Sequence, residues 1–223
     1  MTISKKFQKY SRALRRRTVG IPYGDIWQGK DAEKWYEDTD SIYPLVHEDF
    51  LNYLNSCKNI KTVLEIGCGP GVYPIKHKEI FENYDYTGID ISKSAIQYCK
   101  SNSNFNFISG DFQKMDISEK YDLVFSHGVI HHVYDINDFL SKIVGITKKY
   151  AYVLSSLGYS DELDNHDMEW AEKEAVYNSI LSSKQVNSTL IKSGLSNNQF
   201  SITSSETDSE NSTGTLIEIN KTI

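Results

Sequence analysis

The fold is indicated most clearly by the segment Val63-Leu-Glu-Ile-Gly-Cys-Gly-Pro-Gly71. Its apolar first half, which extends back to residue 61, predicts a buried strand, and a helical pattern near 72–82 follows the glycines. The glycines of the turn are Gly67, Gly69 and Gly71. Because glycine permits positive φ angles and has no Cβ, backbone N–H groups in such a turn can approach a ligand closely. The stretch therefore predicts a strand–turn–helix unit that binds a small molecule.

Two details separate this turn from the turns that bind dinucleotides. Those turns have the spacing G-x-G-x-x-G and meet a pyrophosphate, whereas here the third glycine comes one residue early, after Pro70. Glu65 also precedes the first glycine, and a carboxylate beside a phosphate site would repel the ligand. The turn instead suits a ligand that carries positive charge.

Working outward, short apolar runs alternate with helical patterns. The runs predict strands at 84–90, 104–108, 121–126 and 150–155. The helical patterns between them lie near 92–101 and 135–147. Alternation of buried strands with helices indicates an α/β protein with a mostly parallel sheet and helices on both faces.

The end of the chain departs from this alternation. A long helical pattern covers about 168–193, with an interruption near Ser182. Two strands follow, over about 198–206 and 214–222, and the polar run that joins them predicts a hairpin. We therefore expect a sheet that ends in an antiparallel C-terminal hairpin.

Side chains that can hold a ligand follow the second and third strands. Asp90 ends the second strand, where a carboxylate can accept both hydroxyls of a ribose, and Ile91 can lie on a purine face. Asp111 and Phe112 follow the third strand, where the carboxylate can accept from an exocyclic amine and the ring can pack on a base. The alternative for each is structural: the aspartates can cap helices, the glycines can serve the turn alone, and Phe112 can be a core residue.

Four motifs in order resemble those of class I S-adenosylmethionine-dependent methyltransferases, and most closely the small-molecule group that includes ubiquinone-biosynthesis enzymes. They lie at 63–71, 88–92, 110–112 and 121–133. The resemblance covers about 60–223. It implies a Rossmann-like sheet of seven strands, mostly parallel with an antiparallel C-terminal hairpin strand, and it implies S-adenosyl-L-methionine as cofactor and S-adenosyl-L-homocysteine as product.

The resemblance also implies roles for individual residues. Glu65 would organise the ammonium side of the cofactor, within the turn that brackets its methionine part. Asp90 would hold the ribose, and Asp111 with Phe112 would hold the adenine. Ser126 and His127, at the end of the fourth strand, would meet the methionine end.

Three histidines are candidates for a general base. His131 and His132 follow the fourth strand and His166 follows the fifth, so all three belong to the edge where the acceptor would bind. An imidazole with a pKa near 6.5 suits proton transfer near neutral pH. The alternatives are that the His-His pair caps a helix or shapes the cofactor pocket, and that His166 lies in a solvated acidic loop. No ligand set with metal spacing occurs, so we expect no metal.

The N-terminal part of the chain has a different character from the rest. We expect a helical arm and acceptor-binding segment over 1–58 and the cofactor-binding domain over 59–223. Aromatic residues of the first part can form a lid over the site or pack helices onto the sheet: Trp27, Trp35 and Tyr36. Residues 1–17 form an amphipathic pattern with seven Lys and Arg side chains and no acid, which leaves −13 for the rest of a chain whose formal net charge is −6.

The function predicted from these observations is methyl transfer to a small-molecule acceptor, with an oxygen acceptor favoured. The alternatives are an N-methyltransferase, an enzyme that uses the basic arm to bind RNA or a phosphate-bearing substrate, and a non-catalytic cofactor-binding module. The acidic body argues against nucleic acid as a partner. No stretch approaches the ~18 apolar residues of a membrane span, no secretory signal is apparent and the three cysteines are widely spaced, so we expect a cytoplasmic protein with no membrane span. The oligomeric state stays open.

Overall fold

The computed structural model of the protein describes residues 23–27, 44–172, 175–206 and 213–223. The basic arm over 1–17 lies outside these described residues, as do Trp35 and Tyr36, which were expected to form part of the lid. The strands of the main sheet are β1 (Thr62–Ile66), β2 (Asp85–Asp90), β3 (Asn106–Ser109), β4 (Tyr121–His127), β5 (Thr147–Ser155), β9 (Phe200–Glu206) and β10 (Thr213–Asn220). Three further strands form a small second sheet: β6 (Tyr159–Ser160), β7 (Asp167–Ala171) and β8 (Val176–Ser182).

The helices connect these strands. The α-helices are α1 (Pro44–Ser56), α2 (Val72–Lys76), α3 (Lys78–Phe81), α4 (Lys93–Asn102), α5 (Ile136–Ile146) and α6 (Ser183–Lys192). Short 3₁₀ helices occur at Asp25–Trp27, Ile130–His132 and Asn197–Gln199. Among the helices within these ranges, none is long and apolar enough to cross a membrane.

The main sheet has the order β3-β2-β1-β4-β5-β10-β9. The first five strands of this order are parallel to one another. β10 lies between β5 and β9 and is antiparallel to both. This arrangement confirms the predicted Rossmann-like sheet of seven strands with an antiparallel hairpin strand at its end.

Helices cover both faces of the sheet, as predicted. Along the buried strand β1, Val63 packs into the cluster of buried residues that includes Phe50 of α1, whereas Leu64 packs into the cluster that includes Leu140 of α5. Successive side chains of a strand point to opposite faces, so a strand buried on both sides is a continuous apolar run. This is why β1, β4 and β5 could be recognised from composition alone.

The predicted long helix over 168–193 is wrong for most of its length. Residues 167–171 and 176–182 form the antiparallel strands β7 and β8, and a helix begins only at Ser183. In β8 the side chains of Ser179 and Leu181 are fully buried on one face, while Ile180 between them is exposed. Burial with a period of two stabilises a strand, and it overrides the helix propensity of the Glu, Ala and Lys residues in this stretch.

Candidate functional site

The glycine turn lies where β1, β2 and β4 end. Gly67 has φ 77° and Gly69 has φ 51°, both in the left-handed region. A Cβ on Gly67 would lie 2.1 Å from Cγ2 of Val129, whereas a Cβ on Gly69 would meet no atom within 4 Å. Gly67 is therefore required by packing within the protein, and Gly69 presents an open backbone surface to a ligand.

Asp90 holds this turn against the end of β2. Its Oδ2 accepts a hydrogen bond from the N–H of Gly69 at 2.8 Å, and its Oδ1 accepts from the N–H of Ser92 at 2.7 Å. Burial raises the pKa of Asp90 above its usual value, although both hydrogen bonds act in the opposite direction. The carboxylate thus fixes the open glycine, and its remaining lone pairs can still accept from a ligand.

Glu65 is buried behind the same turn. It is 4% exposed and accepts a hydrogen bond from the Tyr86 hydroxyl on the neighbouring strand. Burial raises its pKa well above the usual range. Glu65 was predicted from the sequence but Tyr86 was not, because the contact between them depends on the register in which β1 pairs with β2.

The turn after β3 is anchored to the same edge. The N–H of Gly110 donates to the carbonyl of Asp90 at 2.9 Å. The Asp111 carboxylate accepts from the N–H of Gln113 at 3.1 Å and pairs with Lys114 at 3.1 Å. Phe112 is 6% exposed and its ring packs edge-on against Phe139, so most of its surface lies in the core.

The end of β4 places Ser126 and His127 in packing roles. Ser126 is fully buried and donates to the carbonyl of Ile66 at 2.9 Å. His127 Nδ1 lies 2.6 Å from the Tyr73 hydroxyl, and its ring contacts Phe50 with centroids 5.0 Å apart. These two residues tie the strand end to β1 and to the helices that cover that face.

His131 and His132 lie together in the 3₁₀ helix after β4, with ring centroids 4.0 Å apart. His131 is 4% exposed, its Nδ1 lies 3.3 Å from the Ser155 hydroxyl, and burial lowers its pKa to about 3. His132 Nδ1 lies 2.8 Å from the carbonyl oxygen of Tyr177 in β8. A carbonyl can only accept, so Nδ1 carries the proton and Nε2 carries the lone pair. Burial also lowers the pKa of His132, which keeps this tautomer neutral.

A segment distant in sequence, residues 23–27, contacts His132. The hydroxyl of Tyr23 donates to the carbonyl of His132 at 3.0 Å, and the ring of Trp27 lies 5.4 Å from its imidazole. The backbone of Trp27 is held in turn by the hydroxyl of Ser92, which donates to its carbonyl at 2.5 Å. Trp27 therefore lies between the end of β2 and His132.

We call Tyr23 and Trp27, together with Trp170 and Tyr177 of the β7–β8 hairpin, the aromatic wall. The N–H of Gly24 donates to the carbonyl of Ala175 at 2.9 Å. Trp170 is 41% exposed and contacts Tyr177, with ring centroids 5.1 Å apart. Neither the hairpin nor these two aromatic residues was foreseen, because the stretch was interpreted as a helix. Trp35 and Tyr36 lie outside the described residues. Ile91 directly follows Asp90, the last residue of β2.

His166 has a different environment from the other two histidines. Its Nδ1 accepts from the N–H of Ser182 at 3.0 Å, so Nε2 carries the proton and donates to Oδ1 of Asn137 at 3.3 Å. Burial lowers its pKa to about 4. Both ring nitrogens are used by the fold, which favours a structural role over the predicted catalytic one. Within the described ranges, no group of three or more His, Cys, Asp or Glu side chains could hold a metal ion.

Comparison with known proteins agrees with this geometry. The sequence profile of a methyltransferase domain family matches residues 58–212. The chain belongs to this methyltransferase family. The resemblance inferred from the ordered motifs is thereby confirmed, and the match spans the glycine turn, the edge of the sheet and the β7–β8 hairpin.

Individual relatives are more distant. The chain is 26% identical over 145 residues to malonyl-[acyl-carrier protein] O-methyltransferase 1 of Ilyobacter polytropus, covering 57% of this chain and 54% of that protein. It is 29% identical over 115 residues to a fatty-acid O-methyltransferase of Mycolicibacterium smegmatis, covering 49% and 40%. The match thus spans about half the length of these curated relatives.

Solved structures share the fold. Magnesium protoporphyrin IX methyltransferase from Synechocystis, crystallised with bound S-adenosylmethionine, superposes with a TM-score of 0.58 at 15% identity. The superposition covers 99% of this chain and 98% of that one.

Proposed function

We propose that this methyltransferase uses S-adenosyl-L-methionine to methylate an oxygen atom of a small molecule, with His132 as the general base when the acceptor is a hydroxyl. The observation that carries the proposal is the fixed tautomer of His132, beside an aromatic wall at the edge where the glycine turn lies. The hydrogen bond to Tyr177 leaves Nε2 as the basic atom, and a neutral imidazole is the form able to accept a proton.

The residues at the strand ends fit this cofactor. Gly69 offers open backbone, the carboxylate of Asp90 lies directly behind it, and the buried carboxyl of Glu65 suits a ligand with a cationic end. Asp111 extends the same row of acceptors to the end of β3, where an exocyclic amine would be held. The related Synechocystis structure contains this cofactor, which supports the assignment.

When bound, S-adenosylmethionine supplies a methyl group activated by the positively charged sulfur. The work left for the protein is to align the acceptor and to exclude water, and alignment of this kind contributes up to ~7–11 kcal/mol. Trp27 and Tyr23 contact His132, and Trp170 contacts Tyr177, whose carbonyl lies 2.8 Å from His132 Nδ1. Aromatic faces also attract cations, so this wall suits the sulfonium end of the site.

An oxygen acceptor is favoured by the relatives and by the histidine. Two relatives are named as O-methyltransferases of malonyl-[acyl-carrier protein] and of fatty acids. A carboxylate acceptor is already ionised at neutral pH and needs no base, whereas a hydroxyl acceptor must lose its proton. The dependence of the rate on His132 therefore distinguishes the two kinds of acceptor.

The first test is binding and transfer by the full chain. Isothermal titration should show binding of S-adenosylhomocysteine, and methyl-labelled cofactor should label an acceptor from a panel of phenols, alcohols and fatty acids. Absence of S-adenosylhomocysteine binding would refute the proposal, and labelling of amines alone would refute the oxygen acceptor.

The second test isolates His132. Substitution His132→Asn places an amide donor near the position of Nδ1 and removes the basic Nε2. For a hydroxyl acceptor we expect kcat to fall about 10²–10⁴-fold with the Kd for S-adenosylhomocysteine unchanged, while His77→Gln, at the junction of α2 and α3, serves as the control. Because burial lowers the pKa of His132, wild-type activity should persist below the usual histidine pKa and decline only as the pH falls through the lowered value.

A further inference from the structure

Lys142, on α5, is bound to the turn that follows β3. Its ammonium donates to the carbonyl oxygens of Phe112 at 2.6 Å and Gln113 at 3.4 Å, and also to that of Met115. The same ammonium lies 5.0 Å from the centroid of the Phe112 ring. A lysine that converges on three carbonyls of one five-residue turn has a fixed position rather than a solvated one.

The turn depends on this lysine because its own backbone leaves those carbonyls without donors. The N–H groups of Lys114 and Met115 both donate to the carbonyl of Asp111, at 2.9 and 3.0 Å. Within the described residues, no backbone N–H donates to the carbonyls that Lys142 contacts. Uncapped carbonyls that point the same way repel one another, and a cation among them relieves this repulsion.

The turn is therefore fixed at two points. At its start, the N–H of Gly110 binds the carbonyl of Asp90, and at its end Lys142 binds the carbonyl of Met115. The Asp111 carboxylate lies between these points, held by the N–H of Gln113. Lys114, by an ion pair at 3.1 Å, and the hydroxyl of Tyr134, at 3.4 Å, also hold this carboxylate. The backbone that follows Asp111 is tied to α5 by Lys142.

We propose that Lys142 is a positioning residue that sets the Asp111 carboxylate to recognise the amino group of the adenine ring. This inference rests on the proposed function, since it assumes that Asp111 faces the adenine of the cofactor. Lys142 contacts the carbonyls of the turn and the ring of Phe112, so its proposed contribution is preorganisation of an acceptor and not hydrogen bonding to the ligand. Loss of Lys142 should lower the preference for ligands that carry this amino group, while the protein still folds.

The test compares two nucleosides that differ only in that amino group. Adenosine and purine riboside, which lacks the 6-amino group, are titrated by calorimetry into the full chain and into Lys142→Met, which keeps the length of the side chain and removes its donors. We expect wild type to prefer adenosine, and we expect the preference to fall about tenfold in the variant, the equivalent of ~1.4 kcal/mol. Lys148→Met, at an exposed lysine of β5, should keep the wild-type preference.

Two further measurements separate positioning from stability. Lys142→Gln, which retains one amide donor, should show an intermediate preference, and it keeps the test available if the methionine variant does not fold. Amide hydrogen exchange over 110–116 should quicken in both variants while exchange in β1 stays slow. Equal weakening of both nucleosides, or an unchanged preference in a folded variant, would overturn the inference. Failure of wild type to bind S-adenosylhomocysteine would instead refute the proposed function.

Discussion

Gly67 and Gly69 show that the same backbone conformation can be required for two different reasons. Both residues have positive φ, which costs a non-glycine residue roughly 1–2 kcal/mol. At Gly67 the space for a Cβ is filled by Val129, and at Gly69 the space is empty. Packing therefore requires the first glycine, whereas the second leaves open backbone that the proposed cofactor can contact.

This difference gives a paired prediction. Gly67→Ala should lower the free energy of unfolding by about 2–4 kcal/mol, because the methyl group overlaps Val129 and the backbone is strained. Gly69→Ala should lower it by only about 1 kcal/mol but weaken S-adenosylhomocysteine binding about tenfold or more, because the methyl group fills the open surface. Urea unfolding and calorimetric titration measure the two effects.

Val129 provides the control for the first half of this prediction. In the double variant Gly67→Ala with Val129→Ala the overlap is removed, so about 1–3 kcal/mol of the loss should be recovered. If Val129→Ala adds its own loss without recovery, the assignment of Gly67 to packing is incorrect.

At the scale of elements, the β7–β8 hairpin binds both His132 and the segment at 23–27. It supplies the carbonyl that fixes the tautomer of His132, and its turn holds the backbone of Gly24. The hairpin is joined to α6 through Ser182, which is fully buried. The Ser182 hydroxyl accepts from the N–H of Gln185 at 3.2 Å and donates to the carbonyl of Leu163 at 2.7 Å.

The connection between the hairpin and α6 should be sensitive to loss of the Ser182 hydroxyl. Ser182→Ala removes a helix N-cap and leaves the Leu163 carbonyl without this donor, so we expect a loss of about 1–3 kcal/mol in the free energy of unfolding. Ser201→Ala, at an exposed position of β9, is the matched control and should change stability by no more than about 0.5 kcal/mol. Equal effects of the two substitutions in urea unfolding would show that the Ser182 hydroxyl does not stabilise the connection between the hairpin and α6.

At the scale of the whole molecule, buried neutral histidines couple stability to pH. Burial lowers the pKa of His131 to about 3 and that of His166 to about 4. Below the unfolded-state pKa of ~6.5 the unfolded chain binds protons that the folded chain does not, so each histidine favours unfolding as the pH falls. The raised pKa values of Glu65 and Asp90 act in the opposite direction, because the folded protein takes up those protons first.

The histidine contribution can be isolated by substitution. Between about pH 6.5 and about pH 4 each of the two histidines should lower the free energy of unfolding by up to ~1.4 kcal/mol per pH unit, against the opposing contribution of Glu65 and Asp90. In His166→Asn the free energy of unfolding should fall less steeply with decreasing pH over this range, by up to the ~1.4 kcal/mol per pH unit that one histidine contributes. We expect this variant to be less stable than wild type at neutral pH. Urea midpoints measured across the range test this, and parallel slopes for the two proteins would contradict it.

Much of the fold could be predicted because its signals are local. The strands β1, β2, β4 and β5 are apolar runs, and the glycine turn announces the end of the first of them. The C-terminal hairpin was also recognisable, since its two strands have no helix between them. For the same reason the residues at the strand ends, among them Glu65 and Asp90, could be selected before any contact was known.

Only the tertiary structure decided the form of the site. Residues 167–171 and 176–182, which were predicted to be helical, form strands β7 and β8, and in β8 Ser179 and Leu181 are buried while Ile180 between them is exposed. The proton of His132 is placed by a carbonyl 45 residues away, and the turn at Asp111 is held by a lysine from another helix. Hydrophobic periodicity can be read from the sequence, whereas a hydrogen-bond partner from another element exists only after the chain has folded. For this reason the sequence motifs indicated the family, and only the folded chain shows which nitrogen of His132 carries the proton.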